Sequence, residues 1–358
     1  MREILAVKFA ELSPSQIASW ARCQASNESL ESPYFHPDFT QCVATVRDDV
    51  EVAVIQQNGE SVGFFPFQRR GRHAAMPVGG RLSDYQGLIC RRDLSWNVKE
   101  VLSHCDLTSW SFDHVLACQT PWSEFHRVTD LSPQIELGNG FEAYCTGLRK
   151  SGVDELRQTK RKARKLAREV GPLRFEFRSL DSGLLDQLIT WKAEQYQRTQ
   201  VTNVFAFPWT GALLHMLQTH QGEELSGILS VLYSGDRPVA MHMGMECHGL
   251  LHWWFPTYDP CLAKYSPGRI LLLELLQAAE SNGVHKVDLG RGVVGYKSRA
   301  MTGAVMVAEG TADLRPLARR LHESLRSTKQ WIRESPISGA ARVPGRLIHQ
   351  LSEWWTFR

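Results

Sequence analysis

Apolar and polar residues alternate with a period of two in several short runs of this chain, and with a helical period in others. Residues 50–57 and 61–69 alternate around Asn58-Gly59, which predicts a β-hairpin. Residues 2–9 predict a strand, and 13–26 a helix with Ser13 at its N-cap. Residues 97–104 predict a helix and 112–117 a strand. A turn-rich stretch at 131–140, LSPQIELGNG, marks a boundary. Beyond it, a helix over 154–170 ends at Gly171-Pro172, and 173–179 is a period-two strand. Helices follow at 184–199 and 209–220. A second hairpin, 226–233 with 239–246, turns at residues 234–238. Residues 250–255 continue that sheet, and 269–282 form an apolar helix. Both halves carry a helical region and then a hairpin, which suggests a tandem duplication.

The stretch from Met241 to Arg299 carries most of the candidate chemistry. Its aromatic strand runs into Tyr265-Ser266-Pro267-Gly268, which opens the apolar helix with Arg269 just inside. A turn at a helix N-terminus presents free backbone N–H groups and the positive end of the helix dipole, a site for an anion. The alternative is an ordinary strand-to-helix turn, because Ser at the N-cap and Pro at N1 are common there. After the helix comes a short strand ending in Asp288-Leu289-Gly290-Arg291-Gly292, then Tyr296-Lys297. Asp288 is expected at the rim of a cleft, with Arg291 paired to it or binding an anionic group. The alternative is a salt-bridged loop at the sheet edge. His242 and His252 fall on neighbouring strands, close to being cross-strand partners. Each alone reads as a core histidine; as a pair they are candidate general bases. Tyr258 and Asp259 form another candidate pair. Trp253-Trp254-Phe255 suits stacking on a ligand or plain core packing.

These motifs, with Ser32-Pro33-Tyr34-Phe35-His36-Pro37 and Ser83-Asp84-Tyr85 before them, resemble the GNAT N-acyltransferases. The branch they resemble is the CelD/BcsL type, acetyltransferases of cellulose or polysaccharide biosynthesis; the Fem-type aminoacyl transferases are cousins. The resemblance spans roughly residues 30–300. It implies an α/β (α+β) fold of two GNAT-like domains, each a mixed sheet flanked by helices. Residues 1–135 would be a degenerate copy, 140–310 the copy with the acyl-donor site, and 311–358 a basic helical tail. It also implies an acyl-CoA donor, acetyl or longer, with an acyl carrier protein as the alternative. Tyr265, Ser266, Gly268 and Arg269 would hold the donor, and strand 239–246 would splay from its neighbour to receive the acyl carbonyl. His242, or a water it orients, would take the amine proton, with His252 and Asp288 as further catalytic candidates. Tyr296 would protonate the thiolate. Asp84, Tyr85, Arg291, Lys297, Trp253 and Tyr258 are candidate substrate contacts. The acceptor is expected to be an amino sugar or polysaccharide precursor, or else a long-chain lipid amine. Aminoacyl transfer from tRNA, as in the Fem-type cousins, is a third option, and a non-catalytic binding component of polysaccharide machinery is the reading from a different class.

Composition bounds these readings. Hydrophobic residues at 43% and charged residues at 22% are those of a globular protein. No apolar run reaches the length of a membrane span, and the first residues lack the pattern of a signal peptide. The eight cysteines show no CxxC spacing, so no zinc site, other metal site or disulfide framework is expected, and a reducing cytoplasm is the simplest compartment. Cys247 and Cys261 are expected to be buried. The net charge of +3 is too small to imply nucleic acid, and no nucleic-acid motif accompanies it. Residues 312–358 hold nine basic and four acidic residues, which is +5 and leaves −2 elsewhere. That tail suits peripheral contact with an anionic membrane on its cytoplasmic face, or a docked helix. The basic run from Arg157 to Arg168 suits an anionic acceptor, a membrane surface or simple solvation.

Overall fold

The structure is a computed structural model that describes residues 2–220, 222 and 224–315. The expected membrane-binding tail therefore lies almost wholly outside the described residues. Its first three positions, 311–313, are the end of a strand.

In chain order the strands are β1 (Arg2–Lys8), β2 (Val50–Gln57), β3 (Glu60–Arg69), β4 (Ala74–Met76), β5 (Ile89–Cys90), β6 (Ser109–Leu116), β7 (His126–Glu136), β8 (Leu173–Glu176), β9 (Leu225–Ser234), β10 (Arg237–Cys247), β11 (Leu250–Tyr258), β12 (Lys286–Asp288) and β13 (Gly303–Asp313). The helices are α1 (Pro14–Ala25), α2 (Pro37–Val46), α3 (Val98–His104), α4 (Phe141–Lys150), α5 (Glu155–Glu169), α6 (Ser182–Thr199), α7 (Pro208–Thr219), α8 (Pro267–Ala278) and the single turn α9 (Lys297–Ala300).

Local rules account for many of these elements. Asn58 and Gly59 both have positive φ, 52° and 84°, as a tight hairpin turn with the right twist requires. Ser13 and Gln16 form a reciprocal capping box that starts α1. In α8, Ile270, Leu271, Leu272, Leu273, Leu275 and Leu276 are all buried, so the helix is apolar nearly all round and covers the sheet. Each such side chain contributes about 1.5–3 kcal/mol by leaving water.

One mixed sheet runs through the molecule in the order β1-β2-β3-β4-β6-β13-β7-β12-β11-β10-β9-β8, with β5 beside β3. From either end it reads alike. Four antiparallel strands come first, then a parallel junction, β4 with β6 at one side and β11 with β12 at the other. The middle is an exchange. β7 follows β6 in the chain but pairs with β12, and β13 follows β12 but also pairs with β6. This explains why the expected boundary at 131–140 is no linker. Its first six residues are inside β7, where Pro133 faces Ala304 and its carbonyl accepts the Leu289 N–H. A proline read as a break is thus accommodated within a central strand. One buried cluster joins the halves, with Trp20, Phe39 and Tyr34 against Leu213, Met243 and Phe255. No helix among the described residues is long and apolar enough to cross a membrane.

Candidate active site

The site begins where two neighbouring strands separate. β12 pairs with β11 only over three positions, Lys286–Asp288 against Leu250–His252. β11 then continues to Tyr258, while the chain after Asp288 turns away through Gly290 and Gly292, at φ 74° and 98°. A bulge helps part them. Between the pairs Met243–Phe255 and Met245–His252, two residues of β11 oppose one of β10. The expected splay of strand 239–246 is therefore corrected. That strand is paired on both sides, and the opening lies one strand further on. The same bulge shifts the register, so His242 faces Pro256 and His252 faces Met245.

His252 and Asp288 stand side by side at the base of this opening, and both are fully buried. Asp288 accepts from the Tyr85 hydroxyl, from Gln134 Nε2 at 3.0 Å, from Ser132 Oγ at 3.2 Å and from the Gly290 N–H at 2.7 Å. Burial raises the Asp288 pKa, but the charge of His252 and these donors more than cancel that, and it lies below its ordinary value. Asp288 is thus a buried anchor; it is neither at a rim nor paired with Arg291, as expected from the sequence. Arg291 instead donates to the Asp113 carbonyl at 2.8 Å and pairs with Asp130 and Glu309.

The other face of His252 meets Asp84, Nε2 to Oδ2 at 3.0 Å. Its Nδ1 lies 3.4 Å from Asp288 Oδ1, an ion-pair contact rather than a hydrogen bond. Burial alone would depress the imidazole. The two carboxylates win, and its pKa rises from 6.5 to about 9. Asp84 is the exposed member, with 22% of its side chain accessible. Its second oxygen is 3.8 Å from His114, which is itself held by Asp113 at 3.0 Å. Lys297 donates to the carbonyls of Gly290 and Arg291, at 3.0 and 3.1 Å. Gly290 sits amid the cluster. A Cβ there would lie 3.0 Å from Asp84 Oδ2, 3.7 Å from His252 Cε1 and 3.8 Å from Lys297 Nζ. Four predicted residues, Asp84, Tyr85, His252 and Asp288, thus form one chain of two hydrogen bonds and an ion pair between the halves, and Lys297 stands beside it.

His242 belongs elsewhere. Its ring stacks on Trp253 at 4.1 Å and 14°, its Nε2 is 3.3 Å from the His252 carbonyl, and it is fully buried. Burial pushes its pKa down to about 3. Trp253 in turn donates to the Tyr296 hydroxyl at 3.1 Å. Burial raises the tyrosine pKa as well. His242, Trp253 and Tyr296 are a second, separate group.

The α8 turn is the third. Ser266 is left-handed, φ 55°, and its Oγ accepts from Lys162 Nζ at 2.6 Å. Pro267 has no N–H, and those of Arg269 and Ile270 bond to the Ser266 carbonyl. Among the described residues only the Gly268 N–H of this turn lacks a protein acceptor. The many free donors expected of the turn are therefore reduced to one, supplemented by the Lys162 and Arg269 cations. Arg269 pairs with Glu155 at 2.7 Å, and Glu155 also pairs with Arg299 at 2.8 Å. Tyr265 is buried and donates to Glu169 at 2.8 Å, so it shapes the turn from beneath. Tyr258 is exposed beside Gly268, and Asp259 is taken by Arg237 and the Cys261 N–H. Cys247 is buried as expected; Cys261 is exposed because it lies in the surface turn after β11. No group of three or more His, Cys, Asp or Glu side chains arranged to hold a metal ion occurs among the described residues.

Tyr34, within the Ser32–Pro37 motif, has no role predicted from the sequence. It lies edge-on to His252 at 5.1 Å, and its buried hydroxyl has no hydrogen-bond partner among the described residues. Ser132 and Gln134 were hidden in the stretch read as a boundary. Their period-two spacing, which puts both on one face of a strand, was the available signal. His114 and Lys192 carried no signal at all.

Comparison with known proteins bears on the fold that carries this site. Residues 154–298 match the family model described as an acetyltransferase (GNAT) domain. No curated protein matches the sequence. Among solved structures, the C-terminal domain of a candidate lysylphosphatidylglycerol synthetase from Agrobacterium fabrum aligns over 88% of this chain and 96% of its own, at TM-score 0.54 and 11% identity. FemX aligns over 89% and 99%, at 0.53 and 9%. A tandem GNAT protein of the clavulanic acid biosynthesis pathway aligns over 88% and 99%, at 0.50 and 10%. At such identities these likenesses show the fold, a mixed α/β arrangement shared with tandem GNAT proteins.

Proposed function

We propose that this protein transfers an acyl group from acyl-CoA to an amine at the opening between β11 and β12. The observation that carries the reading is the Asp84–His252–Asp288 chain at the base of that opening, contributed by both halves of the molecule. A GNAT domain uses acyl-CoA as co-substrate, and the α8 turn offers its phosphates one free N–H, Lys162 and Arg269. The acyl chain would enter beside the parted segment of β11.

The acceptor arrives as an ammonium ion, and Asp84 is the accessible carboxylate that would hold it. Asp84 first takes one proton from the ammonium, which frees the nitrogen lone pair, and returns it to solvent after the reaction. The neutral amine then attacks the thioester carbon and gives up a second proton as the thiolate departs. The C–N bond forms, the C–S bond breaks, and the thiolate takes a proton to leave as thiol. His252 is protonated below about pH 9, so it serves here as the charge that steadies Asp84 and as a proton source, not as a free base. Asp288 fixes its orientation. His242 is not part of this reading, because burial keeps it from any amine.

The test is thiol release by purified protein given acetyl-CoA or palmitoyl-CoA against amino sugars and long-chain amino alcohols. Release that needs both donor and amine is the expected result, and the preferred pair identifies the substrate as sugar or lipid. No release with any pair, and no binding of CoA, contradicts the reading.

A further inference from the structure

Two lysine ammonium groups flank the opening, one on each strand's side. Lys192, on α6, is 8% exposed, and its Nζ donates to the Pro256 carbonyl of β11 at 2.9 Å and to Gln195 Oε1 at 3.3 Å. Lys297 donates to the two carbonyls where the chain leaves β12. An ammonium has three donors, so each lysine keeps one N–H unspent among the described residues. The two charges feel each other: burial first, and then Lys297, bring the Lys192 pKa from 10.5 down to about 8. Lys192 also lies 5.4 Å from the Tyr196 ring, and the charge of Asp84 reaches the Tyr196 hydroxyl. Around the opening, three carboxylates (Asp84, Asp288 and Asp130) face four cations (His252, Lys192, Lys297 and Arg291), and Asp130 is already paired with Arg291. Asp288 is consumed by its own donors, and Asp84 already meets His252. Keeping two like charges close in a largely dry site is costly unless an anion joins them.

We propose that the acceptor carries an anionic group near its amine, with Asp84 binding the ammonium and Lys192 and Lys297 binding a carboxylate or phosphate. This rests on the N-acyltransfer reading and narrows it to zwitterionic amines. An amine without an anionic group would satisfy Asp84 and give the remaining N–H of each lysine no anion to bind.

The test compares matched amines that differ only in the anion: glucosamine 6-phosphate with glucosamine, and alanine with alaninamide. Binding is measured by calorimetry without donor, and kcat/KM by thiol release with acetyl-CoA. Within at least one pair the anionic member is expected to bind and react about tenfold better or more, the scale of a charge-assisted contact. The pair that discriminates tells phosphate from carboxylate. Lys192→Met should collapse that ratio, and Lys192→Arg should keep most of it. Equal values within both pairs, including no binding by any member, overturn the proposal; so does a ratio that Lys192→Met leaves intact. Turnover of neutral amines at full rate would sink this inference and leave the N-acyltransfer reading standing.

Discussion

His242 and His252 lie on adjacent strands, are both fully buried, and are driven in opposite directions. His242 has an indole face, a carbonyl and no carboxylate, and burial takes it from 6.5 down to about 3. His252 has a carboxylate on each side, and rises from 6.5 to about 9. Burial penalises the charged form at both, so the neighbours decide the sign. A candidate general base is therefore identified by what stands beside it, not by being a histidine on the right strand. Only His252 is connected, through Asp84, to the accessible side of the opening.

Breaking that connection should have the largest effect. Asp84→Asn is expected to lower kcat/KM for thiol release by about 10²–10⁴-fold, the range of a lost acid–base group. His242→Leu should lower it less than about tenfold, because it alters packing and one hydrogen bond to a backbone carbonyl and leaves Asp84, His252 and Asp288 in place. Similar losses in both would erase the distinction between the two histidines.

Stability should separate them next. Asp288→Ala strands a buried imidazolium and four donors, and is expected to cost about 3–5 kcal/mol in urea denaturation. His242→Leu, close in volume and without the unpaired Nδ1, should cost less than about 1.5 kcal/mol. A smaller loss for the aspartate than for the histidine would contradict the assignment of Asp288 as anchor.

The pH dependence should then run in opposite senses. The folded pKa of His252 is raised, so its contribution is complete below pH 6.5 and is lost as pH climbs through about 9. The folded pKa of His242 is depressed, so its contribution is complete above pH 6.5 and is lost as pH falls toward about 3. Each slope is at most about 1.4 kcal/mol per pH unit. Imidazole NMR signals assigned through His242→Leu should show one ring titrating near pH 9 and the other still neutral at pH 5. Two rings titrating together near 6.5 would refute both environments. The smallest effect belongs to the α8 turn. Lys162→Ala should raise the donor KM by about two- to tenfold with kcat little changed, as loss of one hydrogen bond implies.

Much of this was legible in the sequence. The Asn58-Gly59 hairpin, the Ser13 cap and the apolar α8 follow from local rules, and the motifs Ser83-Asp84-Tyr85 and Asp288-Leu289-Gly290 named half of the bonded cluster in advance. What stayed hidden depends on residues far apart in the chain. The β7/β13 exchange puts Ser132 and Gln134 against Asp288, 156 and 154 residues away. The bulge that moves the opening from β10 to β11 is a matter of pairing register, to which a single strand's pattern is blind. Lys192 emerges only when α6 crosses the parted strand, since an isolated lysine in an amphipathic helix reads as solvated surface.

The most direct measurement is kcat/KM for thiol release from acyl-CoA with an amine, for the natural sequence and for Asp84→Asn, each shown to be folded by its urea transition. The account predicts release that requires the amine and falls at least about a hundredfold in Asp84→Asn while CoA binding is kept. Undiminished release in Asp84→Asn would place the chemistry away from the opening between β11 and β12.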